Sequence, residues 1–308
     1  MINLKDIDAK RVAEEAERRG ASIKVIDPEY SIFEMSFNGK KIRLWTSITD
    51  ATGGATAKIC RDKHLTREYL AERNFKVPDQ ICVCRNKDGL WFIKKYKQIV
   101  VKPVDGQKGE GISIKVSNRE YPSAFRLAMR YSNKVLLEEY ARGSDYRALV
   151  IGHKFVAAAK RIPARVKGDG RKTIKELIQK RNEDFRNRDC PYRIPLDRST
   201  KHAVERKGRK LDSVLQKGRI VRVRDTANLS TGGKKVDVTN EFPKTLRKTA
   251  EEISRAFGLP TMGIDMIIPK NMKSYNIIEV NTRPALVPHS PAPAVERFVD
   301  WLFAEVKK

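Results

Sequence analysis

Cysteine is scarce in this chain. Four in 308 residues, Cys60, Cys82, Cys84 and Cys190, are too few and too irregularly spaced for a disulfide framework, and no pair of CxxC motifs or Cys/His spacing suggests zinc. They read as reduced thiols. No run approaches the ~20 apolar residues of a membrane-spanning helix, and the opening stretch MINLKDIDAKRVAEEAERRG is charged throughout, without a signal-peptide core. The pattern GxxxxGK[ST] is missing, and GxGxxG does not occur between a strand and a helix, so P-loop and Rossmann readings lose their main support. The four histidines, His64, His153, His202 and His289, form no catalytic constellation. The expectation is a cytoplasmic protein without a membrane partner, with chain enough for two domains or for one enzyme of two or three lobes.

Acidic residues are outnumbered as well. Against 38 Asp and Glu stand 64 Lys and Arg, a net charge of +26. Such a field attracts polyanions and acidic substrates without specifying a fold. The excess is local: between Lys160 and Arg224 there are 22 basic and 8 acidic residues. That stretch reads as a docking surface, a nucleic-acid footprint or a solvated basic face.

Residues 4–19 carry apolar side chains at helical spacing, and Asn38-Gly39 between EYSIFEMSF and KKIRLW is a hairpin signal. A Gly/Thr loop should then lead into a helix from about Lys63 to Arg73. The runs IVVKPV and ISIKV bracket a glycine-rich segment, giving strand, loop, strand. Further strands are expected at YRALVIG and KFVAAAKRI, with helices at TIKELIQKRNEDF and KLDSVLQK. Phe242, Leu246, Ala250, Ile253 and Phe257 mark an amphipathic helix closed by Gly258. The strands TMGIDMII and YNIIEVN and an apolar-faced helix complete the chain.

Two constellations could carry chemistry. Lys102 sits among β-branched neighbours in VVKP, where an unpaired ammonium costs desolvation, and glycines follow that let backbone N–H groups approach an anion. Glu279 and Asn281 are two apart on one strand and share a face, which Asp265 of the preceding strand can join. Three oxygen ligands converging on a sheet face suit Mg²⁺.

The ordered set VVKP, DGQKGEGIS, LLEEYARGSDYR, GIDM and IIEVNTRP resembles the ATP-grasp carboxylate–amine ligases. AAAKRIPARVKGDGRKTIKELI and NLSTGGKKVDVT look like the ATP-grasp module of cyanophycin synthetases and bifunctional glutathione synthetases, a match over about residues 58–308. The resemblance implies an α+β fold in which two α+β lobes sandwich the nucleotide: a short N-terminal αβ lobe at 1–57, a central lobe with the glycine-rich loop at 58–140, and a C-terminal lobe with the metal site and basic region at 141–308. By position, Lys63 and Lys102 would hold the ATP phosphates, and Gly106, Gly109 and Gly111 would close over them. Glu138, Glu139 and Tyr140 would line the adenine hinge, and Asp145 would take the ribose hydroxyls. Asp265, Glu279 and Asn281 would bind two Mg²⁺, with Mn²⁺ as a substitute. Arg161 and Arg283 would face the acyl phosphate or a substrate carboxylate, beside a mobile acceptor loop from Asn228 through Ser230, Thr231 and Gly232 to Gly233.

The implied reaction is ATP-dependent amide formation through an acyl phosphate, on an acidic amino acid or peptide. A modified macromolecule, such as a protein tail or nucleic acid, stands second. A nucleic-acid-binding protein on an ATP-grasp scaffold and a kinase that phosphorylates without ligating stay open, as does a homo-oligomer.

Overall fold

A computed structural model describes residues 2–105, 110–188, 192–286 and 293–307. The chain divides into two compact units, one built from Met1–Pro78, Tyr146–Lys160 and Asp237–Lys308, the other from Asp79–Asp145 and Arg161–Val236.

In the first segment, helix α1 (Ile7–Arg18) starts where the Asp6 carboxylate accepts from the N–H groups of Asp8 and Ala9. Strands β1 (Ser22–Asp27), β2 (Ile32–Phe37), β3 (Lys40–Trp45) and β4 (Ile48–Thr49) pair antiparallel in that order. Asn38 and Gly39 both have positive φ, as the expected β2–β3 hairpin requires. The Gly/Thr stretch then departs from expectation. A helix, α2 (Gly54–Arg61), forms before α3 (Lys63–Ala71), because Cys60 buries and Asp62 caps the second helix by accepting from His64 and Leu65.

The next segment contains β5 (Gln80–Val83), α4 (Leu90–Tyr96), β6 (Ile99–Pro103), β7 (Ser113–Val116), α5 (Tyr121–Ala128) and β8 (Val135–Glu139). Its sheet has the order β5-β8-β6-β7. Ile99, Val101, Val135 and Leu137 point to one face and form a core with Phe92, Tyr121 and Phe125. Lys102, Leu136 and Glu138 alternate onto the other face.

Strands β9 (Ser144–Ile151) and β10 (Lys154–Ile162) turn at Gly152-His153, and β11 (Arg165–Lys167) leads to α6 (Ile174–Arg186). Thr173 and Glu176 form a capping box at its start. A helix that the sequence does not announce, α7 (Arg198–Glu205), comes next, followed by β12 (Ile220–Arg222), paired with β11, and β13 (Lys234–Asp237). The helix expected at KLDSVLQK does not form. The carbonyls of Leu211 and Ser213 accept from the first N–H groups of α6, Lys175 and Ile174, and Leu215 buries in the local core, so this backbone is spent on capping.

Helix α8 (Lys244–Phe257) ends at a left-handed Gly258, as its spacing predicts. Strands β14 (Met262–Ile268) and β15 (Asn276–Asn281) and helix α9 (Ala294–Lys307) follow. The largest sheet has the order β13-β10-β9-β14-β15. In the first unit, α1 and α9 cover one core with β2 and β3, while α8 packs against β14 and β15 in another. Among the described residues, no helix is long and apolar enough to cross a membrane.

Candidate active site

The β14–β15 pair places the acidic constellation. Its antiparallel register sets Gly263 opposite Asn281 and Asp265 opposite Glu279, then shifts after Asp265. Opposed residues and residues two apart share a face, so Asp265, Glu279 and Asn281 converge while Ile264 and Val280 turn into the core. Gly263 leaves the position facing Asn281 bare; a Cβ there would lie 3.3 Å from Pro284 Cβ and 3.6 Å from Arg147 Cδ.

Arg147, on the neighbouring strand β9, reaches over Gly263 and clamps Asp265 bidentately, Nε to Oδ1 at 2.6 Å and Nη2 to Oδ2 at 2.8 Å. Asp265 is 2% exposed. Arg67 on α3, buried, donates from Nη2 to the carbonyl of Ile278 at 2.8 Å. Both arginines escaped the sequence reading, although Arg147 stands in the DYR triplet two residues after Asp145. The donor set fits a hard divalent cation. Carboxylates and an amide oxygen are its preferred ligands. The Nδ2 of Asn281 is buried without a hydrogen-bond partner among the described residues.

The second unit holds most of the positions matched to nucleotide. Lys102 Nζ meets Glu138 Oε2 at 2.6 Å, and their side chains are 5% and 3% exposed. The ammonium predicted to need an anion thus has a carboxylate. Glu139 donates its N–H to the carbonyl of Asp79, and Lys115 lies 5.2 Å from the ring centroid of Tyr140. Asp145 and Arg161, matched to different parts of the nucleotide and substrate, pair with each other across the β9–β10 hairpin at 2.8 Å. Gly111 has φ +67° and packs where a Cβ would meet Tyr131 at 2.8 Å. Gly106 and Gly109 lie outside the described residues. In the Asn228–Gly233 segment, the carbonyls of Ser230 and Gly232 accept from Arg193 N–H and Arg181 Nη2, and Thr231 Oγ1 donates to the carbonyl of Asn228. Lys63 opens α3 and Arg283 follows β15, both in the first unit.

Part of the basic stretch gathers into a cluster. Arg206 donates to the carbonyl of Ile114 and pairs with Asp225; Arg222 donates to the carbonyls of Arg224 and Asp225. Burial, then repulsion from Arg222, Arg206 and Lys115, holds the Lys207 ammonium below its ordinary pKa. A cavity of about 60 Å³ beside them is lined by β7, α5, Arg198, His202 and Arg224.

The profile of the prokaryotic glutathione synthetase ATP-grasp domain matches residues 68–193. The chain is 34% identical over 296 residues to a cyanophycin synthetase of Geminocystis herdmanii, covering 89% of this chain and 34% of that protein. It is 30% identical over 315 residues to the glutathione biosynthesis bifunctional protein GshAB of Clostridium perfringens, covering 94% of this chain and 40% of that protein. The chain therefore spans about a third of the curated relatives it matches. A crystal structure of a bifunctional glutathione synthetase from Pasteurella multocida superposes with TM-score 0.66 at 23% identity, covering 98% of this chain and 44% of that one. A D-alanine–D-alanine ligase from Bacillus anthracis gives TM-score 0.52 at 15% identity, covering 82% and 70%.

Proposed function

We propose that this chain, which has the ATP-grasp fold and resembles the ATP-grasp modules of cyanophycin synthetases and bifunctional glutathione synthetases, is an ATP-dependent ligase that joins a carboxylate to an amine. The observation that carries the reading is the face shared by Asp265, Glu279 and Asn281, with Arg147 clamped on Asp265.

In this reading, a carboxylate oxygen of the substrate attacks the γ-phosphorus of ATP, ADP leaves, and an acyl phosphate forms. The amine nitrogen then attacks the acyl carbon, phosphate departs, and the nitrogen loses a proton to solvent. Divalent metal, held by Asp265, Glu279 and Asn281, would neutralise phosphate charge when bound; Mg²⁺, as two ions, is the proposed identity. Arg147 fixes the Asp265 carboxylate in one orientation. Lys102, oriented by Glu138, supplies a desolvated cation for phosphate oxygens, and Lys63 supplies another. Gly111 and its neighbouring glycines offer backbone N–H groups. Glu139 and Tyr140 form the hinge against adenine, with Asp145 for the ribose. Arg161 and Arg283 are proposed for the substrate carboxylate or acyl phosphate, and the 228–233 segment for the acceptor. No side-chain nucleophile is needed, so catalysis rests on positioning and charge.

The cluster of Lys115, Arg206, Lys207 and Arg222 supports an acidic amino acid or peptide as substrate. The test is incubation with ATP, Mg²⁺, hydroxylamine and a panel of amino acids, acidic peptides and nucleic acids, read by mass spectrometry. ADP together with a hydroxamate is the expected result. Salt-sensitive nucleic-acid binding with no turnover on any member would replace this reading by a binding function.

A further inference from the structure

Two neighbouring side chains of α6, which the proposed reaction does not use, seat residues 228–233 in the second unit. Leu229–Thr231 form a 3₁₀ turn closed by Gly232 at φ +81°. Within the turn, the N–H groups of Thr231 and Gly233 donate to the carbonyl of Asn228, and that of Gly232 donates to Leu229. The carbonyls of Ser230 and Gly232 are met from outside the turn. Ser230 accepts from Arg193 N–H at 3.2 Å, and Gly232 accepts from Arg181 Nη2 at 3.1 Å.

Arg181 reaches a second carbonyl with its other prong. Nη1 donates to Arg165 in β11 at 2.7 Å, so one guanidinium bridges β11 and the segment. The next residue, Asn182, grips the backbone on which the segment rests: Oδ1 accepts from Ile194 N–H at 2.8 Å, and Nδ2 donates to the Ile194 carbonyl at 3.0 Å. Ile194 is 1% exposed, and Gly232 packs so closely over it that a Cβ there would lie 2.3 Å from Ile194 Cγ1.

Stability alone gives little reason for an arginine at this position. Its hydrogen bonds go to neutral carbonyls, its Nε is buried without a partner among the described residues, and burial holds its pKa below the ordinary value. An apolar side chain would fill the place without desolvating a charge. What the guanidinium adds is direction, because its planar fork fixes two carbonyls at once.

We infer that Arg181 and Asn182 are positioning residues that hold the 228–233 segment as a fixed shelf for the acceptor, where the sequence suggests a mobile loop. The inference rests on the ligase reading. The amine then meets the acyl phosphate on a surface that is in place before it binds.

The test sets two nucleophiles in competition. The full chain receives ATP, Mg²⁺, the amino-acid panel and hydroxylamine, and mass spectrometry reads the ratio of amide to hydroxamate formed from one acid. Hydroxylamine is small and needs no shelf, whereas a partly unfolded preparation lowers both products alike, so the ratio reports positioning rather than stability. Arg181→Met should lower the ratio by about tenfold. Asn182→Asp replaces the donor to the Ile194 carbonyl by an oxygen that repels it, and should act in the same direction. Arg181→Lys reaches one carbonyl but not both and should fall between Arg181→Met and wild type. Hydrogen exchange needs no substrate: the amides of Thr231, Gly232 and Gly233 should exchange about tenfold faster in Arg181→Met, with α8 unchanged. An unchanged ratio or unchanged exchange at these amides overturns the inference. A wild-type chain that makes neither ADP nor hydroxamate would instead remove the ligase reading, and the acceptor role with it, while the exchange difference persisted.

Discussion

Arg147 and Asp265, 118 residues apart in sequence, form a two-pronged ion pair across neighbouring strands, at 2.6 and 2.8 Å. A lysine at position 147 would keep the charge and lose the fork. Arg147→Lys is therefore expected to fold, with a stability loss of about 1–2 kcal/mol and a fall in turnover of about a hundredfold, because Asp265 would no longer be held in one orientation. Chemical denaturation and ADP release at saturating ATP measure the two effects. Wild-type turnover in this variant would reduce the pair to a structural strut.

Glu279 has a different position on the same face, half-buried and opposite Asp265. Glu279→Gln preserves shape and removes one negative charge from the proposed metal site. Turnover should drop by roughly a hundredfold or more, partly restored by raising Mg²⁺, while Tm without metal stays within a few degrees. A Mg²⁺ dependence identical to wild type would take Glu279 out of the metal site.

How far the sequence reveals this arrangement depends on distance along the chain. Glu279 and Asn281 are two apart on one strand, so their common face follows from local geometry, and Asn38-Gly39 specifies its hairpin in the same way. Arg147 could not be assigned because the residue that gives it meaning lies in a different strand. Helix α7 escaped for another reason: Arg198–Glu205 buries only Thr200, Ala203 and Val204, too little for an apolar period to stand out. KLDSVLQK has the helical period, but its carbonyls cap α6 and that tertiary use overrides propensity. Lys102 was legible as a cation needing an anion. Its partner, Glu138, was not, since pairing depends on the β6–β8 register.

The Lys102–Glu138 pair allows stability and binding to be separated. Lys102→Met alone leaves a carboxylate in a buried site and should cost about 3–5 kcal/mol. Adding Glu138→Leu removes that charge, so the double variant should recover most of the loss. Nucleotide affinity should remain impaired in both. Urea midpoints and ATP titrations provide the comparison; recovery of ATP binding in the double variant would show that Lys102 acts only within the fold.

The basic cluster predicts a selective kinetic effect. Neutralising Arg206, Lys207, Arg209 and Lys210 should raise KM for an acidic substrate by about tenfold and leave the KM for ATP within twofold, with the difference shrinking as salt rises. An unchanged KM for the acidic substrate would make these residues a solvated face.

The cysteines differ in chemistry because they differ in burial. Burial pushes the Cys60 thiol up to about 12, whereas Cys84 is exposed. At pH 8 the thiolate of Cys60 is then a fraction on the order of one in ten thousand, and the thiolate is the species that reacts. Iodoacetamide should modify Cys84 in the native chain within minutes and spare Cys60 until denaturant is added, as read by peptide mass spectrometry. Equal native labelling of both would mean that the α2–α8 region opens far more readily than its buried core implies.

Acid should expose the pairing on α1. Glu15 accepts from Arg18 and, one residue on, from Arg19, and the Arg18 hydrogen bonds lead in lowering its carboxyl to about 2. A carboxyl lowered by folding adds stability above its unfolded value of about 4.5, and that contribution is lost as pH falls from there toward 2. Arg18 is largely exposed, so solvent screening reduces the contribution to roughly 1 kcal/mol. Glu15→Gln should thus be less stable than wild type at pH 7, and the two should converge by about pH 2. Denaturant midpoints of both chains at pH 7, 4 and 2.5 measure the convergence. A gap that persists unchanged to pH 2.5 would attribute the loss to packing against α9, where Arg19 also meets Asp300, rather than to charge.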